Sequence, residues 1–433
     1  MKTINSLILK SLVLPCVVAS CLILIQSPLN AREVTGLFEI SVAVDDQNNS
    51  TRRRATRQAL VEVMIRISGQ SIAASNSILK SNLNKSTAYI QRYLYREEDL
   101  VDEQGNPFKQ LMLDLVFDEM AIRNLLRDAN LPRWGANRPQ TLIWLAIGDQ
   151  QQRFLLGTDD ESLLKAINQP FVNEDSPVQT NNESSETPVE QASLNLKQII
   201  SDKASARGLP ILLPLMDLED SVNIDVADVW GRFISPIRQA SERYASDAVA
   251  AAQLIREDDQ WLTRWLLLHK GRTLSWEHQS DSIESALNVG LDAITDQLAA
   301  QYAVYEDSLQ RNDILISVNN INRVEDFAAL MKYLQGITSI HDVNVAKITQ
   351  SVIHLKINLI GEQDALIQAI SLNNQLIIEM TPSIDHSRIQ TRLPALFFHW
   401  ASDNNNLAKP ASQVDSLEVK NRNVNSSEVD ALN

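Results

Sequence analysis

Cysteine is nearly absent from this chain. The 433 residues contain two, Cys16 and Cys21, both in the opening segment. Once that segment is removed, no thiol is left for a disulfide, a thiolate nucleophile or a sulfur-ligated metal. Glycine is also scarce, at 12 residues. None falls in the G-x-x-x-x-G-K or G-x-G-x-x-G spacing that brings backbone N–H groups close to phosphates, which excludes the common nucleotide-binding loops. No G-x-S-x-G elbow occurs. The six histidines (His269, His278, His341, His354, His386 and His399) never stand at H-x-x-x-H spacing, so zinc-helix motifs are excluded as well. Basic charge is in deficit: 39 Lys and Arg against 54 Asp and Glu give a net charge of −15. Such a surface repels nucleic-acid phosphates and anionic lipid. The basic run Arg52-Arg53-Arg54 stands where a helix should begin and reads as its solvated first turn.

The opening segment, Met1–Ala31, has Lys2 and Lys10, the apolar run Ser11–Ile25, and Ala31 before a polar sequence. That order describes a secretory signal peptide, and the run is shorter than the roughly 20 residues of a spanning helix. Cleavage after Ala31 is expected. Lipidation at Cys21, within Val18-Ala19-Ser20-Cys21, is an alternative, as is an uncleaved anchor. The expected location is the periplasm, or the membrane surface facing it. Contact with the membrane itself would come only through an uncleaved signal or a lipid.

The remaining chain reads as an α+β / α/β multi-domain protein. An N-terminal α+β module is expected at 32–157, a polar linker at 158–191, and a central three-layer α/β module at 192–305. A ferredoxin-like βαββαβ module follows at 311–381, and a disordered tail at 402–433. Arg52–Ser68 carries Ala55, Ala59, Leu60, Val63, Met64 and Ile67 on one helical face, with Gly69 as its stop. Ile72–Leu83 reads as a second helix. Tyr89–Arg96 and Gln110–Phe117 alternate like paired strands, and Asp118 is an N-cap. In the central module the run Ile211–Leu215, between prolines, reads as a fully buried central strand. The acidic stretch after it would be the loop at that strand's carboxyl end, where α/β sheets hold ligands. Ala248–Arg256, Trp261–His269 and Thr273–His278 read as strands and Ser282–Tyr302 as a long helix. In the third module Ile353, Leu355, Ile357 and Leu359 alternate with His354, Lys356 and Asn358, which places His354 on a solvated face. The apolar patch Leu393–Trp400 is expected to cover the third sheet or meet a partner.

Several motifs carry a resemblance. They are ISVAVDDQ…RRRATRQALVEVMIRISG, NLPRWGANRPQTLIWLA, GLPILLPLMDLED and VADVWGRF. Together with the signal segment they resemble an uncharacterised family of proteobacterial exported proteins, the domain of unknown function numbered two thousand and sixty-six, over about residues 32–302. The resemblance implies an exported protein and carries no catalytic residue.

The strongest functional candidates are Asp217, Asp220 and Asp228, within the acidic group Asp217, Glu219, Asp220, Asp225 and Asp228, together with Trp230. Carboxylates at this density can hold Ca²⁺ or Mg²⁺, but the EF-hand spacing and its glycine are missing. Capping of helices or turns by Asp220 and Asp228, with the other acids solvated, is the plainer reading, and no metal or other cofactor is implied. Glu277-His278 could form an acid/base pair. The tryptophans Trp134, Trp144, Trp230, Trp261, Trp265 and Trp276 are expected to pack, with Trp230-Gly231 docking against Trp134-Gly135. The function expected is a non-catalytic accessory or adaptor whose partners are other envelope proteins. The alternative is a ligand-binding protein or enzyme working through the acidic loop.

Overall fold

The computed structural model describes residues 34–101, 106–149, 152–157, 189–257, 260–305, 311–349, 352–361, 363–372, 375–379 and 395–401. The opening segment Met1–Ala31, most of the 158–191 linker and the 402–433 tail lie outside the described residues. The architecture is α+β and multi-domain, built on three separate sheets.

The first sheet has the order β1 (Glu39–Val44), β3 (Pro107–Phe117), β2 (Ile90–Val101), all antiparallel. Helix α1 (Asn49–Ser68) packs on it because its six periodic apolar residues meet Leu113, Leu115 and Phe117. Each fully buried Leu, Val, Met or Ile among them contributes roughly 1.5–3 kcal/mol, the alanines less. Because α1 begins at Asn49, Arg52–Arg54 run from the end of its first turn into its second, and the Arg52 guanidinium stacks 4.9 Å from the Tyr93 ring. Gly69 ends α1 at φ 69°, and a Cβ there would stand 2.6 Å from Cε3 of Trp134 and 2.3 Å from Cβ of Ala299. Only glycine fits that turn. The stretch read as one helix at Ile72–Leu83 divides into a 3₁₀ turn, Ser71–Ser75, and α2 (Ser77–Asn82), because the Asn76 side chain caps Ile78 and Leu79 and starts a new helix. Asp118 caps α3 (Glu119–Asp128) through Ala121 N–H.

In the second sheet β4 (Thr141–Gly148), with all eight residues buried, runs parallel to β7 (Ala248–Glu257). The antiparallel strands β8 (Gln260–His269) and β9 (Arg272–Ser280) extend it on one side, and β5 (Arg153–Leu155) closes the other. Helices α4 (Val189–Arg207) and α8 (Ile283–Tyr302) cover the face bearing Ile143, Leu145 and Trp265. Short helices α5 (Leu218–Asn223), α6 (Val226–Trp230) and α7 (Ile234–Ser241) form the opposite layer, with Val229 and Ile237 set against Leu142 and Trp144. The Ile211–Leu215 run is not the central strand. Only β6 (Ile211–Leu212) pairs, half-buried, with the first residues of β4. Pro210 precedes the run and Pro214 interrupts it, neither with a backbone N–H to donate, so pairing does not extend.

The connector Leu131–Pro139 organises all three sheets. Trp134 N–H donates to Ile67 of α1 (2.7 Å), and Arg133 exchanges backbone bonds with Val304 after α8 (2.8 and 2.9 Å). Asn137 reaches the Ala369 carbonyl in the third unit at 2.8 Å. Arg138 is 3% exposed and spends all five N–H donors on carbonyls, those of Arg66, Trp134, Gly135, Arg207 and Gly208, at 2.8–3.1 Å. Burial, with Arg66 and Arg207 nearby, pulls its pKa down to about 9, which leaves it charged at pH 7. Arg207 continues the joint to Asp292 (3.0 Å) and Asp296 on α8.

The third unit runs β10 (Arg311–Asn319), α9 (Val324–Gly336), β11 (Ile340–Thr349), β12 (Val352–Ile360), α10 (Gln363–Ile370), β13 (Leu376–Ile378), β14 (Ala395–Trp400). The βαββαβ order is present, but the ferredoxin-like sheet is not. Its order is β11-β12-β10-β14-β13: β14 lies parallel to β10 and displaces β13 to the edge. The apolar patch therefore neither covers the sheet nor stays exposed. It enters the sheet as an inner strand, with Phe398 and Trp400 buried. His354 is likewise not solvated: it is 5% exposed, and its Nδ1 lies 2.8 Å from the Ser317 hydroxyl on the neighbouring strand.

Candidate functional site

The acidic segment does not project past a strand end as a loop. Ile224 and Val229 bury against the sheet and draw it down as α5 and α6, which lie across the sheet face. Its carboxylates are then consumed locally. Asp217 caps α5 by accepting from Asp220 N–H at 3.0 Å. Asp225 and Asp228 form a reciprocal capping box on α6, at 2.8 Å to Ala227 N–H and 2.9 Å from Asp225 N–H. Trp230 sits half-buried below the Arg153 guanidinium, 4.7 Å away.

Two residues outside the segment hold it in place. Arg243 grips Asp217 with a bidentate fork (2.7 and 2.8 Å) and reaches Asp220 at 3.0 Å. This fork holds the Asp217 carboxyl well below the usual carboxylate range, and the facing acids hold the Arg243 guanidinium above its ordinary value. Asp220 is fully buried. It accepts from Met216 N–H (2.9 Å), Arg243 and the Tyr244 hydroxyl. Tyr244 also accepts from Leu215 N–H (2.8 Å), and its ring meets Trp144 of β4 edge-on. Burial, followed by the Asp220 bond, pushes its phenol up to about 12. Arg243 binds the acids of the segment to one another, and Tyr244 ties them to the sheet through Trp144. Neither Arg243 nor Tyr244 was legible as a partner, because they stand 23 to 26 positions away along the chain.

Among exposed polar residues such as Glu219, Ser221 and Asp225, the segment also presents large apolar side chains outward. Leu215, Leu218, Val222 and Phe233 are 72%, 82%, 77% and 55% exposed. Leu218 and Val222 are one turn apart and share a face of α5, and α5 packs beside α7, which Phe233 precedes. Comparable exposure occurs singly elsewhere, at Ile72 (68%), Met120 (60%) and Val324 (78%), whereas here four such side chains fall close together in one short segment.

The other candidates have structural surroundings. Glu277 pairs with Arg264 at 3.2 Å, across β8 and β9. Trp134, Trp144 and Trp265 are fully buried, and Trp276 stacks on Trp265. Trp134 belongs to the core on the α4/α8 face and Trp230 to the core on the opposite face, so the expected docking of the two does not occur. Among the described residues, no group of three His, Cys, Asp or Glu side chains could hold a metal ion, and no helix is long and apolar enough to cross a membrane.

A family model described as a domain of unknown function (DUF8605) matches residues 31–135. This replaces the family number suggested by the sequence motifs, and the matched span ends inside the connector, at Trp134-Gly135. No curated protein matches the chain. Solved structures similar to it include the C-terminal domain of LpoB from Salmonella enterica, at 7% identity and TM-score 0.19, covering 33% of this chain and 83% of that one. Another is the crystal structure of an uncharacterized protein, at 13% identity and TM-score 0.13, covering 38% and 88%. Scores of this size carry no argument about function.

Proposed function

We propose that this protein is a non-catalytic adaptor of the cell envelope that docks a protein partner on the α5–α7 layer. The observation that carries the reading is the exposure of Leu215, Leu218, Val222 and Phe233 on a layer pinned to the sheet by Arg243 and Tyr244. Apolar side chains on a pre-ordered surface bind without a large ordering cost. Glu219, Asp225 and the excess negative charge of the chain favour a partner whose apolar side chains are flanked by lysine or arginine. An enzyme or ligand site at Asp217, Asp220 and Asp228 would call on carboxylates that are already engaged by Arg243, by Tyr244 and by helix caps. The composition of Met1–Ala31 supports an envelope location.

The double substitution Leu218→Ser, Val222→Ser tests this. Both side chains are solvated, so the unfolding free energy should stay within about 0.5 kcal/mol of the parent. A partner cross-linked to the parent chain in envelope extracts should be lost from the variant. Retention of the same cross-linked partner at equal yield would remove the reading.

A further inference from the structure

The third sheet has a second, polar face that the adaptor reading does not use. Helices α9 and α10 lie against Ile314, Ile316, Leu355 and Ile357, all on one face. On the other face the strand register sets Asp342, Asn358 and Asp313 in one row across β11, β12 and β10, with Asn344 and Lys356 in the next. These five residues and His341 line a cleft of about 460 Å³.

The presence of both His341 and Asp342 in that lining is informative. Neighbours on a regular strand point to opposite faces. Here the register shifts between Ile340 and Asp342, which leaves His341 as the extra residue of a bulge and turns it into the same cleft as Asp342. The floor is ordered beforehand. Lys356 Nζ lies 2.8 Å from Asp313 Oδ2, Asn358 donates to Asp313 Oδ1 at 2.8 Å, and Asn344 donates to Asp342 Oδ2 at 2.6 Å. The Oδ1 of Asn358 has no donor, an uncommon state for a buried acceptor.

Local charge narrows the ligand class. Two carboxylates against one ammonium disfavour an anion such as phosphate. The Lys356 ammonium disfavours a cation, and its bond to Asp313 occupies one of the carboxylates a metal would need. What remains is a neutral ligand that both donates and accepts at closely spaced points, as vicinal hydroxyls do. We propose that this cleft is a saccharide subsite, with Asp342 accepting from a sugar hydroxyl, Lys356 and His341 completing the ring of contacts, and Asn358 enclosed in the floor beneath them. Its size is in the ordinary range for a small-ligand pocket.

The test is saturation-transfer NMR on the full chain with three probes: methyl β-glucoside, N-acetylglucosamine and its β-1,4 dimer. At least one should receive saturation, and the signal should fall at least fivefold in both His341→Ala and Lys356→Met. Both side chains are exposed, so thermal unfolding should be unchanged and loss of signal is separable from loss of fold. Absence of transfer to all three sugars, or equal transfer in parent and both variants, overturns the proposal.

Discussion

Two arginines in this molecule sit in opposite surroundings. Arg138 is buried in the connector and meets five carbonyls and no acid. Arg243 lies at the outer layer, forked onto Asp217 and touching Asp220. The first acts as glue: its donors gather α1, the connector and the end of α4 at one point. The second acts as a brace that keeps a surface segment in shape while its apolar side chains face outward. Burial, not charge count, separates the two roles, because a buried unmatched group costs far more than an exposed one.

The comparison can be broken at its inner end first. Arg138→Met leaves five carbonyls without their donor, and a loss on the order of 4 kcal/mol is expected by chemical denaturation. A loss below about 1 kcal/mol would mean that the joint is not held there. Trp134→Ala opens a cavity between α1 and α8 and should cost roughly 3 kcal/mol, read as a lower unfolding midpoint. At the outer end, Tyr244→Phe removes the donor to buried Asp220 and the acceptor for Leu215 N–H. Roughly 1–2 kcal/mol should be lost, with faster hydrogen exchange confined to Leu215–Phe233.

The last effect is one of pH. Burial raises Asp247 to about 6, as it sits below β7 and accepts from Gln140 N–H. An ordinary unfolded aspartate titrates near 3.9, so between about pH 4 and pH 6 the folded chain binds more protons. Stability should therefore fall as pH rises through that window, by at most about 3 kcal/mol and by less as solvent screens the half-buried carboxyl, and Asp247→Asn should flatten the slope. The depressed Asp217 acts with the opposite sign: its contribution is present above about pH 4 and fades as pH falls below it. Unfolding midpoints measured between pH 3 and pH 7 in the two single variants, Asp247→Asn and Asp217→Asn, separate these contributions.

Local periodicity carried much of the fold. The face of α1, the alternation of β2 and β3, the Asp118 cap and the Gly69 stop are all legible, since each depends on residues within a turn or a pairing step. Features that depend on distant partners were not. The Ile211–Met216 run has the composition of a buried strand, and only its lack of donors at Pro210 and Pro214 limits pairing to two residues. His354 alternates as a surface residue would, yet its polar face is buried against Ser317. Phe398 and Trp400 gave no hint that they would enter the sheet beside β10, because parallel pairing across about eighty residues leaves no local mark. In the candidate site, the capping role of Asp228 was legible, but Asp220, read as a cap, is buried under Tyr244, and Asp217 and Asp225, read as solvated, are the residues that cap α5 and α6. The brace from Arg243 and Tyr244 and the outward-facing Leu218 and Val222 left no local mark.

The most direct measurement places a photo-cross-linking amino acid at Leu218 and, as a control, at Thr273 on the exposed edge strand β9 of the same sheet. The adaptor account predicts a defined adduct from position 218 only, lost when Phe233→Ser is added. The captured peptide should carry apolar residues flanked by lysine or arginine. Equal adducts from both positions, or none from position 218, would contradict it.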